Sequence, residues 1–353
     1  MKSTPKALKV IDFHGHFLSV LPCNNTHMKT KPPKSTAPTS GAPRLTKARL
    51  RSVIQDGFSD PEWAKKVLAE REQGVLATEG VIGLRLCVLA SGSDGNCLCV
   101  TSGQTVVLID AGITLSRLTE GLAQIGIDPK AIRAVLLTHD HSDHWASATL
   151  ALHQRYGVPI YANEGTAEAV DQIIGTGKVL WRIFETGSQF TIGDLAIEPF
   201  TVPHDAAETV GFVLDDGQCR LGIATDLGMA TETVRRALAN CNALVLEANH
   251  DVEMLRHSAR PRPLIRRIEG CRGHLSNEQS AALLGKVISP RLKTVTLAHL
   301  SRECNTPALA TAVVKQVLEK AGRTDVRVGV AGGETTVFIV ISGLGPADAQ
   351  PGK

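Results

Sequence analysis

Residues 131–144 read Ala131-Ile132-Arg133-Ala134-Val135-Leu136-Leu137-Thr138-His139-Asp140-His141-Ser142-Asp143-His144. An apolar run suited to a buried strand leads straight into three imidazoles and two carboxylates within six residues. Packing does not call for such a cluster, because each unpaired imidazole or carboxylate costs free energy to desolvate. The same groups do ligate borderline metals such as Zn2+. Residues two apart on an extended stretch point the same way. His139 and His141 are therefore expected to grip one ion, while Asp143 and His144 turn towards a second. The alternative is a solvated polar loop.

Around this stretch, short β-rich runs bounded by glycine and aspartate lie at 84–90, 97–101 and 105–109, and a helix is expected near 115–125. Beyond the cluster, strands are expected near Ile160, Ile183, Ile197, Val213, Ile223 and Leu246, with helices near 167–174 and 231–239. An arginine-rich loop follows, then a helix over 277–287, a strand over 294–298, a helix over 307–321 and a last strand pair at 326–330 and 334–340. Periodicity alone gives an α/β protein.

The 353 residues, 43% of them apolar, suffice for a sizeable aliphatic core. A net charge of +3 implies no polyanionic partner by itself. The basic residues are uneven, however: residues 1–51 hold ten Lys or Arg and one acid, Asp12. Residues 24–51, rich in Lys, Pro, Ser and Thr, are not expected to order, and one short helix is expected near 60–72. His14-Gly15-His16 reads as an ordinary polar segment. The eight cysteines form no C-x-x-C knuckle or compact disulfide framework, and Cys87, Cys97, Cys99 and Cys219 lie in apolar runs as core residues. A reducing cytoplasm is the simplest compartment. No stretch approaches the ~20 apolar residues needed to span a membrane. The expected division is a basic, largely disordered extension over 1–82, a catalytic domain over 83–342 and a flexible tail over 343–353.

The His-x-His-x-Asp-His loop after a buried strand resembles the signature of the metallo-β-lactamase fold superfamily. Leu89-Ala90-Ser91-Gly92-Ser93-Asp94-Gly95-Asn96-Cys97, Leu108-Ile109-Asp110-Ala111-Gly112, Val202-Pro203-His204-Asp205, Ala224-Thr225-Asp226, Leu246-Glu247-Ala248-Asn249-His250, Gly273-His274-Leu275-Ser276-Asn277 and Ala298-His299-Leu300-Ser301 extend the likeness to its bacterial WalJ/YycJ-type exonuclease branch. The resemblance runs from about 83 to 342 and implies an αββα sandwich, two β-sheets flanked by helices. It also implies His139, His141 and His204 on one ion, Asp143, His144 and His299 on the other, and Asp226 bridging both. Two divalent ions, Zn2+ or Mn2+ with Fe2+ also compatible, about 3.5–4 Å apart would share a hydroxide and stabilise charge on a phosphoryl or acyl oxygen. With Asp226 and Asp143 at its centre, such a site is a dinuclear hydrolase. Asp110 is implied to orient a metal-binding histidine. Asp140 is expected to play a similar supporting part, facing away from the His139–His141 side.

His274 stands where a general acid could protonate a leaving oxygen; alternatively it only packs against a helix capped by Ser276 or Asn277. Asn249, with His250, and Ser93 and Asn96 in the glycine loop are candidates to line the substrate pocket, although the loop's glycines also suit a tight turn. Between 256 and 272 stand six arginines against one acid, Glu269. Their guanidinium forks match phosphate oxygens, with Arg266 and Arg267 as candidate substrate contacts; a solvated basic loop or internal ion pairs are the alternative.

The resemblance implies an exonuclease acting on DNA rather than RNA. Only 22 positions separate His204 from Asp226, too few for the large inserted domain of RNA-processing relatives. After His299, relatives commonly carry Leu-Ser-x-Asp-Asn-Asn where this chain has Leu300-Ser301-Arg302-Glu303-Cys304-Asn305. That difference leaves the metal ligands intact and changes substrate-contact detail. Two other functions fit the same residues: a small-molecule metallohydrolase for a thioester, lactone or cyclic phosphodiester, and a non-enzymatic metal-binding regulatory partner that docks through its basic N-terminus.

Overall fold

Successive strand residues face opposite ways, so a strand covered on both sides reads as an unbroken apolar run. Ala243–Glu247 shows this: Ala243 and Val245 turn into one core, Leu244 and Leu246 into another. The computed structural model describes residues 83–331 apart from Gln104 and Ser147, and the backbone of Val337–Ile341. In the N-terminal unit, Met1–Ser52, it describes the backbone of β1 (Val10–Ile11) paired antiparallel with β2 (Phe17–Leu18). The expected helix near 60–72 and the tail over 343–353 lie outside the described residues.

One seven-stranded sheet contains β3 (Leu84–Ala90), β4 (Cys97–Ser102), β5 (Thr105–Ile109), β6 (Ile132–Leu136), β7 (Ile160–Ala162) and β8 (Trp181–Ile183) side by side. The other contains β9 (Phe190–Ile192), β10 (Leu195–Thr201), β11 (Val210–Asp215), β12 (Arg220–Ala224), β13 (Ala243–Glu247), β14 (Thr294–Ala298) and β15 (Arg327–Val330). The last strand, β16 (Val337–Ile341), returns to the first sheet beside β3. Each sheet begins as an antiparallel meander and continues in parallel, through β5–β8 and through β12–β15. The inner faces share a core of Leu86, Val100, Ile109, Leu136, Phe212, Ile223 and Val245 among others. Helices Glu232–Leu238, Asn277–Val287 and Pro307–Lys320 cover the outer face of the second sheet through Leu238, Leu284 and Val314. Two sheets flanked by helices are the expected sandwich.

Cys87, Cys97, Cys99 and Cys219 are buried core thiols, and burial pushes Cys87 up to about 11. Among the described residues no helix is long and apolar enough to cross a membrane. The arginine-rich stretch differs from expectation: it holds two helices, Val252–Arg256 and Arg262–Ile268. The Asp251 side chain caps the first, and Leu255, Ile265 and Ile268 bury themselves with Cys304 in a small core of their own. Helix Ala148–Tyr156 was also not evident from the pattern.

Candidate metal centre

The carboxyl ends of β5 and β6 from one sheet and of β12, β13 and β14 from the other carry the chemistry. Asp110 follows β5, Thr138 and His139 follow β6, Asp226 follows β12, Glu247 ends β13 and His299 follows β14. Asp110, Asp226 and His299 all have φ near +57°, a backbone that costs a non-glycine residue about 1–3 kcal/mol and recurs where function demands it. His204 arrives from the far end of β10, beyond Pro203.

His139, His141 and His204 surround one point, with ring centroids 4.6, 5.2 and 5.1 Å apart, and their ligand atoms lie within 4.8 Å of one another. Asp143, His144 and His299 form a second such group, and Asp226 joins His139 and His144 in a third. Within these overlapping groups, His139 Nε2, His204 Nε2 and Asp226 Oδ2 are buried without a hydrogen-bond partner among the described residues, although such atoms are almost always paired. Asp110, Asp143, Asp226 and Glu247 meet there among imidazoles, with no lysine or arginine in an ion pair with any of them among the described residues. A donor set of imidazoles and carboxylates with excess negative charge fits divalent metal ions.

His139, His144, His204 and His299 are each aimed through Nδ1. His144 Nδ1 meets Asp110 Oδ2 at 2.7 Å. Thr138 fixes that carboxylate with its own N–H and Oγ1, both at 2.8 Å, and reaches His139 Nδ1 at 2.9 Å. His204 Nδ1 donates to the Gly273 carbonyl at 3.0 Å, which leaves Nε2 as the acceptor. Burial, with the neighbouring imidazoles, pushes His139 well below the ordinary histidine range, and burial takes His204 down to about 4. Both rings are neutral, as ligands must be. Burial alone would also lower His144 and His299. Around His144 the carboxylates Asp226, Asp110 and Asp143 win, and around His299 Asp226 and Glu247 do, raising it to about 9.

Glu247, which had no role assigned from sequence, is fully buried and serves four donors. Oε1 takes His274 Nδ1 at 2.7 Å and His299 Nδ1 at 2.8 Å; Oε2 takes the N–H groups of Leu227 at 2.9 Å and Leu275 at 3.2 Å. The available signal was a lone acid ending a buried strand next to the Asp226 and His299 strands. His274 therefore does more than pack against a cap: Ser276 makes the capping box with Gln279, while the His274 ring lies 5.0 Å from His204 and 5.2 Å from His299.

Other candidates are placed differently from the sequence expectation. Asn96 and Asn249 hold ligands and are not free to line a pocket: Asn96 Nδ2 reaches Asp143 Oδ2 at 3.3 Å and His144 Nε2 at 3.0 Å, and Asn249 Nδ2 donates to the His299 carbonyl at 3.0 Å. Ser93 is exposed and makes no hydrogen bond to the cluster; Ser91 Oγ instead accepts the His299 N–H at 2.7 Å. Asp140 faces away from the ligands, as expected, and takes the Ala207 N–H at 2.9 Å, tying the metal loop to the loop after His204. Arg267 is paired with Asp205 in the His204 loop, and its side chain is partly exposed. Arg266, one residue earlier, is exposed.

The glycine loop acts as a cradle for the metal loop. Asn96 N–H donates to the Asp143 carbonyl and Ala111 N–H to the His144 carbonyl, both at 2.8 Å. A Cβ on Gly112 would strike the backbone of Asp143 and His144. Gly112→Ala is expected to displace both ligands and weaken metal binding by about 10–100-fold, the usual effect of disturbing a ligand's support. Isothermal titration with Zn2+ or Mn2+ reads this directly, and wild-type affinity in the variant would show that the loop yields.

The family pattern of the Beta-lactamase superfamily domain matches residues 105–299. The chain is 39% identical over 243 residues to the exodeoxyribonuclease YycJ of Bacillus anthracis, covering 68% of this chain and 91% of that protein. It is 37% identical over 254 residues to the exodeoxyribonuclease WalJ of Streptococcus pneumoniae, covering 70% and 92%. Among solved structures, the metallo-β-lactamase fold protein YhfI from Bacillus subtilis superposes with a TM-score of 0.54 at 16% identity, over 72% of this chain and 98% of that one. A diphosphatase from the PhnP family superposes with a TM-score of 0.51 at 20% identity, over 72% and 97%.

Proposed function

Because the chain belongs to the metallo-β-lactamase superfamily, we propose that it is a metal-dependent exonuclease that hydrolyses DNA phosphodiesters, with Zn2+ or Mn2+ at the two-ion centre and Fe2+ also compatible with its donors. The observation that carries the metal-dependent part is that three buried atoms without hydrogen-bond partners among the described residues, His139 Nε2, His204 Nε2 and Asp226 Oδ2, belong to overlapping groups of potential ligands that share His139. The choice of DNA rests on relatives named exodeoxyribonucleases that the chain matches over nine-tenths of their length. It agrees with the stretch between His204 and Asp226, which β11 and β12 occupy as a plain hairpin.

His139, His141 and His204 would hold one ion, Asp143, His144 and His299 the other, with Asp226 between them. When bound, the ions lower the pKa of an attacking water and stabilise charge on the phosphoryl oxygens. The protein's own task is orientation and proton delivery. Glu247 Oε1 fixes His274 by accepting from its Nδ1, leaving Nε2 as the atom that, when it carries a proton, gives it to the departing oxygen as the P–O bond breaks. Glu247 itself stays ionised: burial would push its carboxyl up, but His274 and His299 hold it well below the usual carboxylate range.

The reading is tested by offering end-labelled single- and double-stranded DNA to protein stripped with a chelator and then reconstituted with Mn2+ or Zn2+. Stepwise shortening is expected only after reconstitution. Inert protein carrying two ions per chain would overturn it.

A further inference from the structure

The six arginines between 256 and 272 divide into two groups. Arg256 Nε meets Glu269 Oε1 at 3.1 Å, Arg260 Nε meets Glu303 Oε2 at 3.1 Å, Arg267 is paired with Asp205, and Arg272 Nε donates to the His204 carbonyl at 3.1 Å. Arg262 and Arg266 are exposed and have no hydrogen bond or ion pair among the described residues. They stand four residues apart on the helix Arg262–Ile268, about 6 Å along its axis at 1.5 Å per residue. Both line one surface cleft of about 600 Å3, with Arg256 and His257 on the opposing wall. The cleft's two acids are already partly answered: Glu269 by Arg256, and Glu253 by Arg256 at 3.9 Å and His257 at 3.7 Å.

The platform under this pair is rigid and registered on the metal centre. Ile265 and Ile268 anchor the helix in a core with Leu255 and Cys304. Arg267, on another face of the same helix, is bound to the carboxylate of Asp205, whose other oxygen lies 3.3 Å from His204 Nε2. The Ile268 carbonyl accepts the His274 N–H at 2.9 Å, and the Gly273 carbonyl holds His204. An anion held by Arg262 and Arg266 would therefore sit at a fixed distance from the reacting groups.

We infer that the cleft between helices Val252–Arg256 and Arg262–Ile268 is a phosphate-binding track, in which Arg262 and Arg266 take successive phosphates of the uncleaved part of a DNA strand. Guanidinium forks without internal partners suit phosphate oxygens, and their spacing of one helical turn suits neighbouring phosphates of one strand. This inference rests on the DNA reading above, and the experiment separates the two.

The full chain carrying Asp226→Asn holds DNA without consuming it, so affinity for a fluorescent single-stranded oligonucleotide can be measured by anisotropy across a salt series. Adding Arg262→Gln and Arg266→Gln is expected to reduce the slope of log affinity against log salt by about 1.4, since each phosphate contact to a single strand contributes about 0.7. A charge-matched control, Arg235→Gln with Arg236→Gln on the helix Glu232–Leu238, removes two arginines already paired with Glu232 and is expected to leave the slope unchanged. An unchanged slope in the cleft variant, or an equal fall in the control, would overturn the track. Failure of the nuclease reading would show elsewhere, as absence of metal-dependent shortening by the wild-type chain.

Discussion

Replacing Asp226 by asparagine is expected to lower turnover on DNA by about a thousandfold or more with little change in fold. The carboxylate lies between the two ligand groups: Oδ2 is 3.5 Å from His144 Nε2 and has no hydrogen-bond partner, and Oδ1 is 3.3 Å from His299 Nδ1. Burial pushes this carboxyl up, but His299 and His144 hold it below its ordinary range, so it is the anion shared by both halves of the site. Asparagine keeps the shape and tolerates the φ of +56° better than any other residue except glycine. Only the charge is lost, and with it the link between the two positions. Several kcal/mol of transition-state stabilisation depend on both ions acting together, and each 1.36 kcal/mol is tenfold in rate. The measurement is cleavage of end-labelled DNA beside metal content and melting temperature. A variant that binds two ions, melts like the wild type and still cleaves at more than about a tenth of the wild-type rate would remove Asp226 from the centre of the mechanism.

How much of this was legible in the sequence depended on how far apart the cooperating residues lie. His139, His141, Asp143 and His144 are contiguous, so local composition and spacing were enough. His204, Asp226 and His299 each follow an apolar strand, and the resemblance supplied their convergence; the parallel register of β12, β13 and β14 brings the ends that carry Asp226 and His299 to one side of the sheet. Side-chain direction was beyond reach. Asn96, Asn249 and Arg267 had the right chemistry for substrate contact, yet Asn96 and Asn249 bond to residues of the histidine–aspartate cluster and Arg267 pairs with Asp205. Arg266 and Arg267 looked equivalent in what read as a loop; once the segment is a helix, adjacent residues point about 100° apart. That helix was hidden because its apolar face is short, Ile265 and Ile268, and closes only against Leu255 and Cys304 from elsewhere in the chain. Thr138 and Ser91 were equally hidden, since a hydroxyl that meets an imidazole or accepts a backbone N–H has no pattern along the sequence.

Glu247 is the largest omission, and substitution there is expected to separate stability from catalysis. Its two oxygens have different duties: Oε2 satisfies the N–H groups of Leu227 and Leu275, each adjacent to a site residue, while Oε1 takes Nδ1 of both His274 and His299. Glu247→Ala strands two buried backbone donors, at about 1–3 kcal/mol each, and removes the anion between two imidazoles. The expected loss is about 3–5 kcal/mol, a fall in melting temperature of roughly 6–20 °C for a domain of this size. Glu247→Gln is predicted to behave otherwise. Its carbonyl oxygen can keep the two backbone bonds, so most of the stability returns, but its amide then presents N–H groups to the imidazoles. His299 must accept through Nδ1 and carry its proton on Nε2, the nitrogen needed for the metal, and His274 loses the carboxylate oxygen that holds its Nδ1. Metal affinity and turnover should each fall about 10–100-fold in a protein that melts close to the wild type. Thermal denaturation, metal titration and turnover of the two variants side by side decide the matter. Equal melting losses in both, or a fully active glutamine variant, would show that Glu247 serves the fold alone and that the tautomers of His274 and His299 are set by other contacts.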